Sequence, residues 1–272
     1  MSLSLSCRLL GISRQAIYQQ EKRKKVRAFE LSSVKDIVIE LRRFMPRIGT
    51  RKLYWLIKPK LKAASIKLGR DAFFSYLKAH NLLVKPKRSY TKTTNSKHWM
   101  KKHPNLLKEF KPQQAEQVFA SDITYIESDE GVHYLSLVTD TSSRKIMGHE
   151  LSHDMKAESV VKALRKSERH RLSAGSVIHH SDRGLQYCSS VYQDELRRQG
   201  MMASMTDGYD CYQNALAERI NGILKQEFLL YKCSSFNELK ALVEESIEIY
   251  NTMRPHLSLG MKTPNEAHKK AS

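Results

Sequence analysis

The chain has 272 residues, 40% of them apolar, and a formal net charge of +19. That is enough apolar material for a folded core, and it excludes disorder throughout. No run of about 18 uncharged apolar residues occurs, and the start at Met1 lacks the basic-then-apolar pattern of a secretory signal, so a cytoplasmic protein with no membrane partner is expected. The four cysteines, Cys7, Cys188, Cys211 and Cys233, form no CxxC pair. They read as free thiols rather than a zinc knuckle or a disulfide framework. The charge is divided sharply: residues 1–112 hold 28 Lys+Arg against 6 Asp+Glu, and residues 113–272 hold 19 against 22. A half this cationic attracts polyanions, while the balanced half can tolerate clustered carboxylates.

The first element in chain order is a short helix ending at the Gly11 turn, after which Ser13 caps a second helix carrying Ala16 and Ile17. This is helix-turn-helix grammar, which many helical hairpins share. Lys22-Arg23-Lys24-Lys25 follows, a tract suited to phosphate contact or to a solvated helix face. Between Leu31 and Leu83 the apolar spacing predicts three helices: over Val34, Ile37, Val38 and Leu41; over Leu53, Leu56 and Ile57; and over Phe73, Phe74 and Leu77. Pro46 to Gly49 and Gly69 mark the turns between them. We therefore expect a small, basic, all-α, helix-turn-helix-like domain over residues 1–84. Residues 85–112, rich in Lys, Ser, Thr and Asn, read as a basic linker.

From Glu116 the pattern becomes β-branched and alternating. Val118 to Ile126 reads as a strand, and His133–Thr139 and Lys145–Leu151 add two more, joined by a tight turn at Asp140 to Ser143. Ala157–Arg169 is an amphipathic helix, Ser176–His180 a short buried strand ending at Asp182, and Met201–Met205 a fifth strand after another helix. The order βββαβαβ, followed by a helix, predicts an α/β unit over residues 113–272. Its mixed five-stranded sheet with flanking helices is the ribonuclease-H-like arrangement.

Three carboxylates stand out by position. Asp122 lies inside the first strand among apolar neighbours, where an unpaired charge is costly. Asp182 ends the fourth strand, and Glu218 lies on a later helix, seven residues before Lys225 and so on one face with it. Hard divalent cations take carboxylate oxygens, and two such ions about 4 Å apart stabilise the attacking and leaving oxygens of a phosphodiester together. Glu227 lies on the far side of that helix from Glu218. His179 and His180 point to opposite faces of their strand and read as structural or DNA-contacting, and Asp140 as a turn residue.

The segments Ser121-Asp122-Ile123-Thr124-Tyr125, His180-Ser181-Asp182-Arg183-Gly184-Leu185-Gln186-Tyr187 and Asn214-Ala215-Leu216-Ala217-Glu218 resemble the catalytic core of retroviral-integrase-like transposases. Thirty-five residues separate Asp182 from Glu218, which is that family's interval. The ending, Tyr250 to Pro264, is similar to insertion-sequence transposases whose second reading frame encodes the catalytic subunit. One departure is local: Tyr212-Gln213 stands where the family usually has Trp-Asp. The resemblance implies catalytic, metal-binding Asp122, Asp182 and Glu218 using Mg²⁺ or Mn²⁺, two ions in all. The reaction it implies is hydrolytic cleavage at element ends followed by transfer of the 3′ hydroxyl to a new phosphodiester. It further implies double-stranded DNA as partner, a homo-oligomer assembled on that DNA at the nucleoid, and an upstream-frame helix-turn-helix subunit or fusion.

Candidate DNA contacts are Lys225, Arg183, Asn214 and Arg254 in the second part and Arg51, Lys52 and Arg70 in the first. Arg254 reads equally well as a cap for the helix before it. Two rival readings stand beside this one: a non-catalytic DNA-binding regulator or decayed transposase, which the basic half alone supports, and a ribonuclease-H-type nuclease using similar carboxylates on the same fold.

Overall fold

The computed structural model describes residues 3–85, 100–207 and 214–271, and the chain divides into two units, Met1–Val84 and Lys85–Ser272. In the first unit, α1 (Leu3–Leu9) ends at Gly11, whose φ of +64° turns the chain. Ser13 then caps α2 (Arg14–Phe44), its Oγ accepting from Ala16 N at 3.1 Å. The sequence places two separate helices and a basic tract where the structure has this one helix of 31 residues. The reason is local. No Gly or Pro interrupts Arg14 to Phe44, the Lys/Arg/Gln/Glu tract is made of strong helix formers, and Arg27 pairs with Glu30 one turn on at 2.8 Å. Pro46 stops it.

Helices α3 (Thr50–Ala63) and α4 (Arg70–Ala79) follow, entered at Gly49 and Gly69. Val34 and Val38 of α2 are fully buried, as are Leu53 and Ile57 of α3 and Phe73 and Leu77 of α4. Tyr76 Oη ties α4 to the Leu31 carbonyl at 2.9 Å. Only the second half of α2 enters this core. Its first half leaves Tyr18 and Phe29 exposed.

In the second unit, residues 104–106, expected as linker, lie along a strand: Met205 N donates to Pro104 O, and Leu106 N to Ser204 Oγ at 3.0 Å. Residues 86–99 of the expected linker lie outside the described residues. The predicted strand order holds, with β1 (Val118–Ser128), β2 (Gly131–Asp140), β3 (Ile146–Ser152), α5 (Ala157–Arg169), β4 (Val177–Ser181), α6 (Leu185–Cys188), α7 (Ser190–Arg198), β5 (Met201–Met205) and α8 (Ala215–Ile223). The sheet runs β3-β2-β1-β4-β5. The first three strands are antiparallel, and β4 and β5 are added parallel to β1, because only helical crossovers connect them. After α8 come α9 (Phe236–Thr252) and α10 (Pro264–Ala271).

Strand alternation gives β1 two different faces. Phe119 packs with Val160, Val161 and Leu164 of α5 and Tyr192 and Leu196 of α7. Gly148 of β3 lets α5 approach closely, since a Cβ there would stand 2.1 Å from Ala163 O and 2.6 Å from Ser167 N. Asp122 and Thr124 face the opposite way, toward α8.

The C-terminal helix is tied in by buried polar groups. His268 of α10 is fully buried, with Nε2 3.0 Å from Glu116 Oε1 and Nδ1 3.0 Å from Ser143 Oγ. Glu116 also accepts from Leu172 N and Ser173 N. Asp140 is fully buried and accepts from Glu116 N and Ser143 N, so it serves the turn. His268→Ala removes a hydrogen bond to a buried carboxylate and should cost about 1.5–3 kcal/mol in urea denaturation. A loss below about 0.5 kcal/mol would show that α10 does not rely on it.

Candidate active site

Parallel register brings the first two carboxylates together. Ala120 of β1 is paired with His180 of β4, so Asp122 lies two residues beyond that pair within β1 and Asp182 two residues beyond it, just past the end of β4, where its charge acts on Asp122. Both side chains are half-buried. Asp182 turns the chain out of β4 by accepting from Gly184 N at 2.9 Å. Gly184 suits the spot, because a Cβ there would stand 3.0 Å from Asp182 Oδ1.

Helix α8 contributes the third. Glu218 is exposed in its first turn, and the same face is pinned to β1 at three points. Asn214 Nδ2 donates to Ser121 O at 3.2 Å, Asn221 Nδ2 to Asp122 Oδ2 at 2.7 Å, and Lys225 Nζ to Thr124 Oγ1 at 3.3 Å. The Asp122 carboxyl is pushed up to about 7 by desolvation first, then by the charge of Asp182 and, less strongly, of Glu218. Bonds from Asn221 and Ile123 N oppose that rise. Glu218 is raised by its own desolvation and by Asp182. The three groups therefore share one repulsive field. Among the described residues, no three His, Cys, Asp or Glu side chains stand close enough to form a ready-made metal cage.

Behind the site the sheet is held by neutral groups. His179 Nε2 lies 2.7 Å from Ser121 Oγ and 2.9 Å from Tyr192 Oη, and burial depresses its pKa to about 3. His180 points the other way, its Nδ1 2.9 Å from Ser204 Oγ. Both have structural bonds, and they occupy opposite faces as strand geometry requires.

Several expected DNA contacts are placed otherwise. Arg254 is 1% exposed and grips Glu227 through two bonds of 2.8 and 2.7 Å, so it is an internal anchor and cannot reach DNA phosphate. Asn214 is also buried, its amide spent on the β1 backbone. Lys225 does not continue a regular α-helix, because α8 widens into a π-helical turn over Leu224–Phe228. Its half-buried ammonium rests 4.4 Å from the Tyr125 ring centroid. Arg183 is half-buried beside Asp182. In the first unit, Arg51 is exposed, Lys52 half-buried, and exposed Arg70 is paired with Asp71 at 2.9 Å. The sequence reading missed Asn221, although its place three residues after Glu218 and four before Lys225 puts it on the same stripe. Tyr212 and Gln213, where the chain departs from the family pattern, lie outside the described residues, as does Cys211. Cys7, Cys188 and Cys233 are free and buried.

Models of the integrase core domain match residues 112–211 and 199–264. The insertion element IS600 uncharacterized 31 kDa protein of Shigella sonnei is 34% identical over 264 residues, 95% of each chain. The transposase InsF for insertion sequence IS3A of Escherichia coli (strain K12) is 30% identical, covering 99% of this chain and 94% of that one. The chain belongs to the insertion-sequence transposase family. A simian T-cell lymphotropic virus intasome, solved in complex with PP2A regulatory subunit B56 gamma, aligns with a TM-score of 0.51 at 17% identity, covering 85% of this chain and 74% of that one. That likeness shows the fold, the ribonuclease-H-like sheet of an integrase core, as expected from the strand order. The transposase carries its integrase core from about residue 112 onward, and no described helix is long and apolar enough to cross a membrane.

Proposed function

We propose that this transposase cuts and joins double-stranded DNA at Asp122, Asp182 and Glu218, with divalent metal held by those carboxylates. The observation that carries the reading is that Asp122 lies two residues beyond the Ala120–His180 pair of β1 and β4, Asp182 just past the end of β4, and the helix bearing Glu218 is bonded to Asp122 through Asn221. The donor set fits the ion: all three are hard oxygen ligands, and their shared repulsion is what a cation among them relieves. Bound Mg²⁺ or Mn²⁺, as one ion or two, supplies charge stabilisation to the attacking and leaving oxygens of the phosphodiester.

The chain's own groups do the positioning. Asn221 and Ile123 N hold the two oxygens of Asp122, and the Gly184 N–H holds Asp182. Arg183, next to Asp182 in the chain, is the arginine of this part that contacts phosphate in this reading. The basic first unit, with Arg51, Lys52 and Arg70, grips the duplex backbone. The division of labour is a helical DNA-binding part over 1–84, a basic connection over 85–112 and a catalytic part over 113–272. The working form is a homo-oligomer on element ends and target in the cytoplasm, joined by an upstream-frame helix-turn-helix subunit or fusion.

The test is incubation of the purified chain with terminal-repeat duplex, with a matched RNA:DNA hybrid, and with Mg²⁺ or EDTA. Metal-dependent 3′ nicking of the duplex is expected. Cutting confined to the hybrid would make it a ribonuclease-H-type nuclease instead, and no metal-dependent cutting of either would make it a non-catalytic DNA-binding protein.

A further inference from the structure

Asn221 is the described side chain that joins α8 directly to a carboxylate of the proposed site. It is 4% exposed. A carboxylate can only accept, so the group on Asp122 Oδ2 at 2.7 Å is the amide nitrogen, and that sets which way the side chain is turned. The carbonyl Oδ1 is then buried with no partner among the described residues. Asn214 likewise keeps a buried carbonyl with no partner among the described residues, although buried amides are ordinarily satisfied on both sides, so it is the bond to a carboxylate that sets Asn221 apart. The neighbouring pins differ from it: Asn214 bonds main chain and Lys225 a hydroxyl, whereas Asn221 alone of the three bonds a carboxylate. Ile123 N holds the other Asp122 oxygen at 2.9 Å. Together the two donors clamp the carboxylate in one orientation, one bond along its own strand and one across from the helix that carries Glu218.

We infer that Asn221 is a positioning residue that presets the Asp122 carboxylate for a divalent cation and couples that orientation to the placement of α8. The inference rests on the proposed role of Asp122 as a metal ligand. A hydrogen bond from an outer residue to a metal-ligating carboxylate is commonly worth 10- to 100-fold in metal affinity. Asn221→Leu keeps the side chain's size while deleting the donor and the unpaired carbonyl.

The experiment compares Mn²⁺ binding by calorimetry on the full-length wild-type, Asn221→Leu and Asp122→Asn proteins, with melting temperature in EDTA measured on each. Expected are measurable binding by the wild type, near-complete loss in Asp122→Asn, and at least about tenfold weaker binding in Asn221→Leu. The melting temperature of Asn221→Leu in EDTA should fall by no more than about 6 °C, the cost of one hydrogen bond to Asp122. Wild-type Mn²⁺ affinity in Asn221→Leu would overturn the inference. A drop of more than about 6 °C would overturn it too, because Asn221 would then be chiefly a helix pin. If Asp122→Asn binds Mn²⁺ like the wild type, the metal site itself is misplaced, and this failure is distinguishable from the other two.

Discussion

Asp122→Asn, Asp182→Asn and Glu218→Gln are each expected to lower strand cleavage and joining at least about a thousandfold while leaving DNA affinity within about twofold. The rate follows from charge: metal stabilisation of the transferring oxygens is worth several kcal/mol, and about 4 kcal/mol corresponds to roughly three decades. The affinity is spared because binding rests on Lys and Arg contacts to phosphates, and those residues are concentrated before residue 113. Stability separates this loss from misfolding. Asp122 lies in a field shared with Asp182 and Glu218, so Asp122→Asn removes a repulsive charge, and in EDTA it should melt no lower than the wild type. Gel assays of nicking and joining, with a binding isotherm on the same DNA, check all of this. An Asp122→Asn or Glu218→Gln protein cutting within tenfold of the wild-type rate would remove that residue from the site.

Arg254→Met should be the most damaging change to stability away from the site, costing about 3–5 kcal/mol, because it removes both guanidinium bonds to the partly buried Glu227. Arg254 Nη1 also lies 2.9 Å from His256 Nε2, and its guanidinium stands 5.8 Å from the Tyr250 ring. The segment after α9 is therefore assembled around one guanidinium. Combining Arg254→Met with Glu227→Gln should recover part of the loss, since the carboxylate that Arg254 bonds is neutralised with it. Urea denaturation measures both. Salt titration of DNA binding separates the expected phosphate contact of Arg254 from the internal anchor found in the structure: the contact would reduce the slope of log K against log salt by about 0.9, whereas the anchor leaves the slope unchanged.

The same segment shows where sequence reasoning runs short. By sequence Glu227 lies around the helix from Glu218 and outside the triad, and the structure finds it on Arg254. Nothing in the local pattern tells that an arginine near the chain's end and a glutamate 27 residues earlier are folded onto each other. An Arg in an Asn-Thr-Met-Arg-Pro stretch reads as a surface cation because most are. Likewise α2 was divided in the sequence reading because its apolar period falters over Lys22 to Lys25, although helix propensity carries through that tract.

What the amino-acid order determined by itself was the succession of strands and helices in the core, through period-two and period-3.6 patterns, and the family, through the segments around Asp122, Asp182 and Glu218. It also separated the basic half from the balanced one, because charge is additive along a chain. What only tertiary structure decided was which polar faces meet. Hydrophobic periodicity reports the side of an element that leaves water, but a polar stripe such as Asn214, Asn221 and Lys225 reads as solvent-facing until the strand it bonds is in place. The orientation of Asp122 is a property of that contact, which joins residues 99 positions apart in the chain.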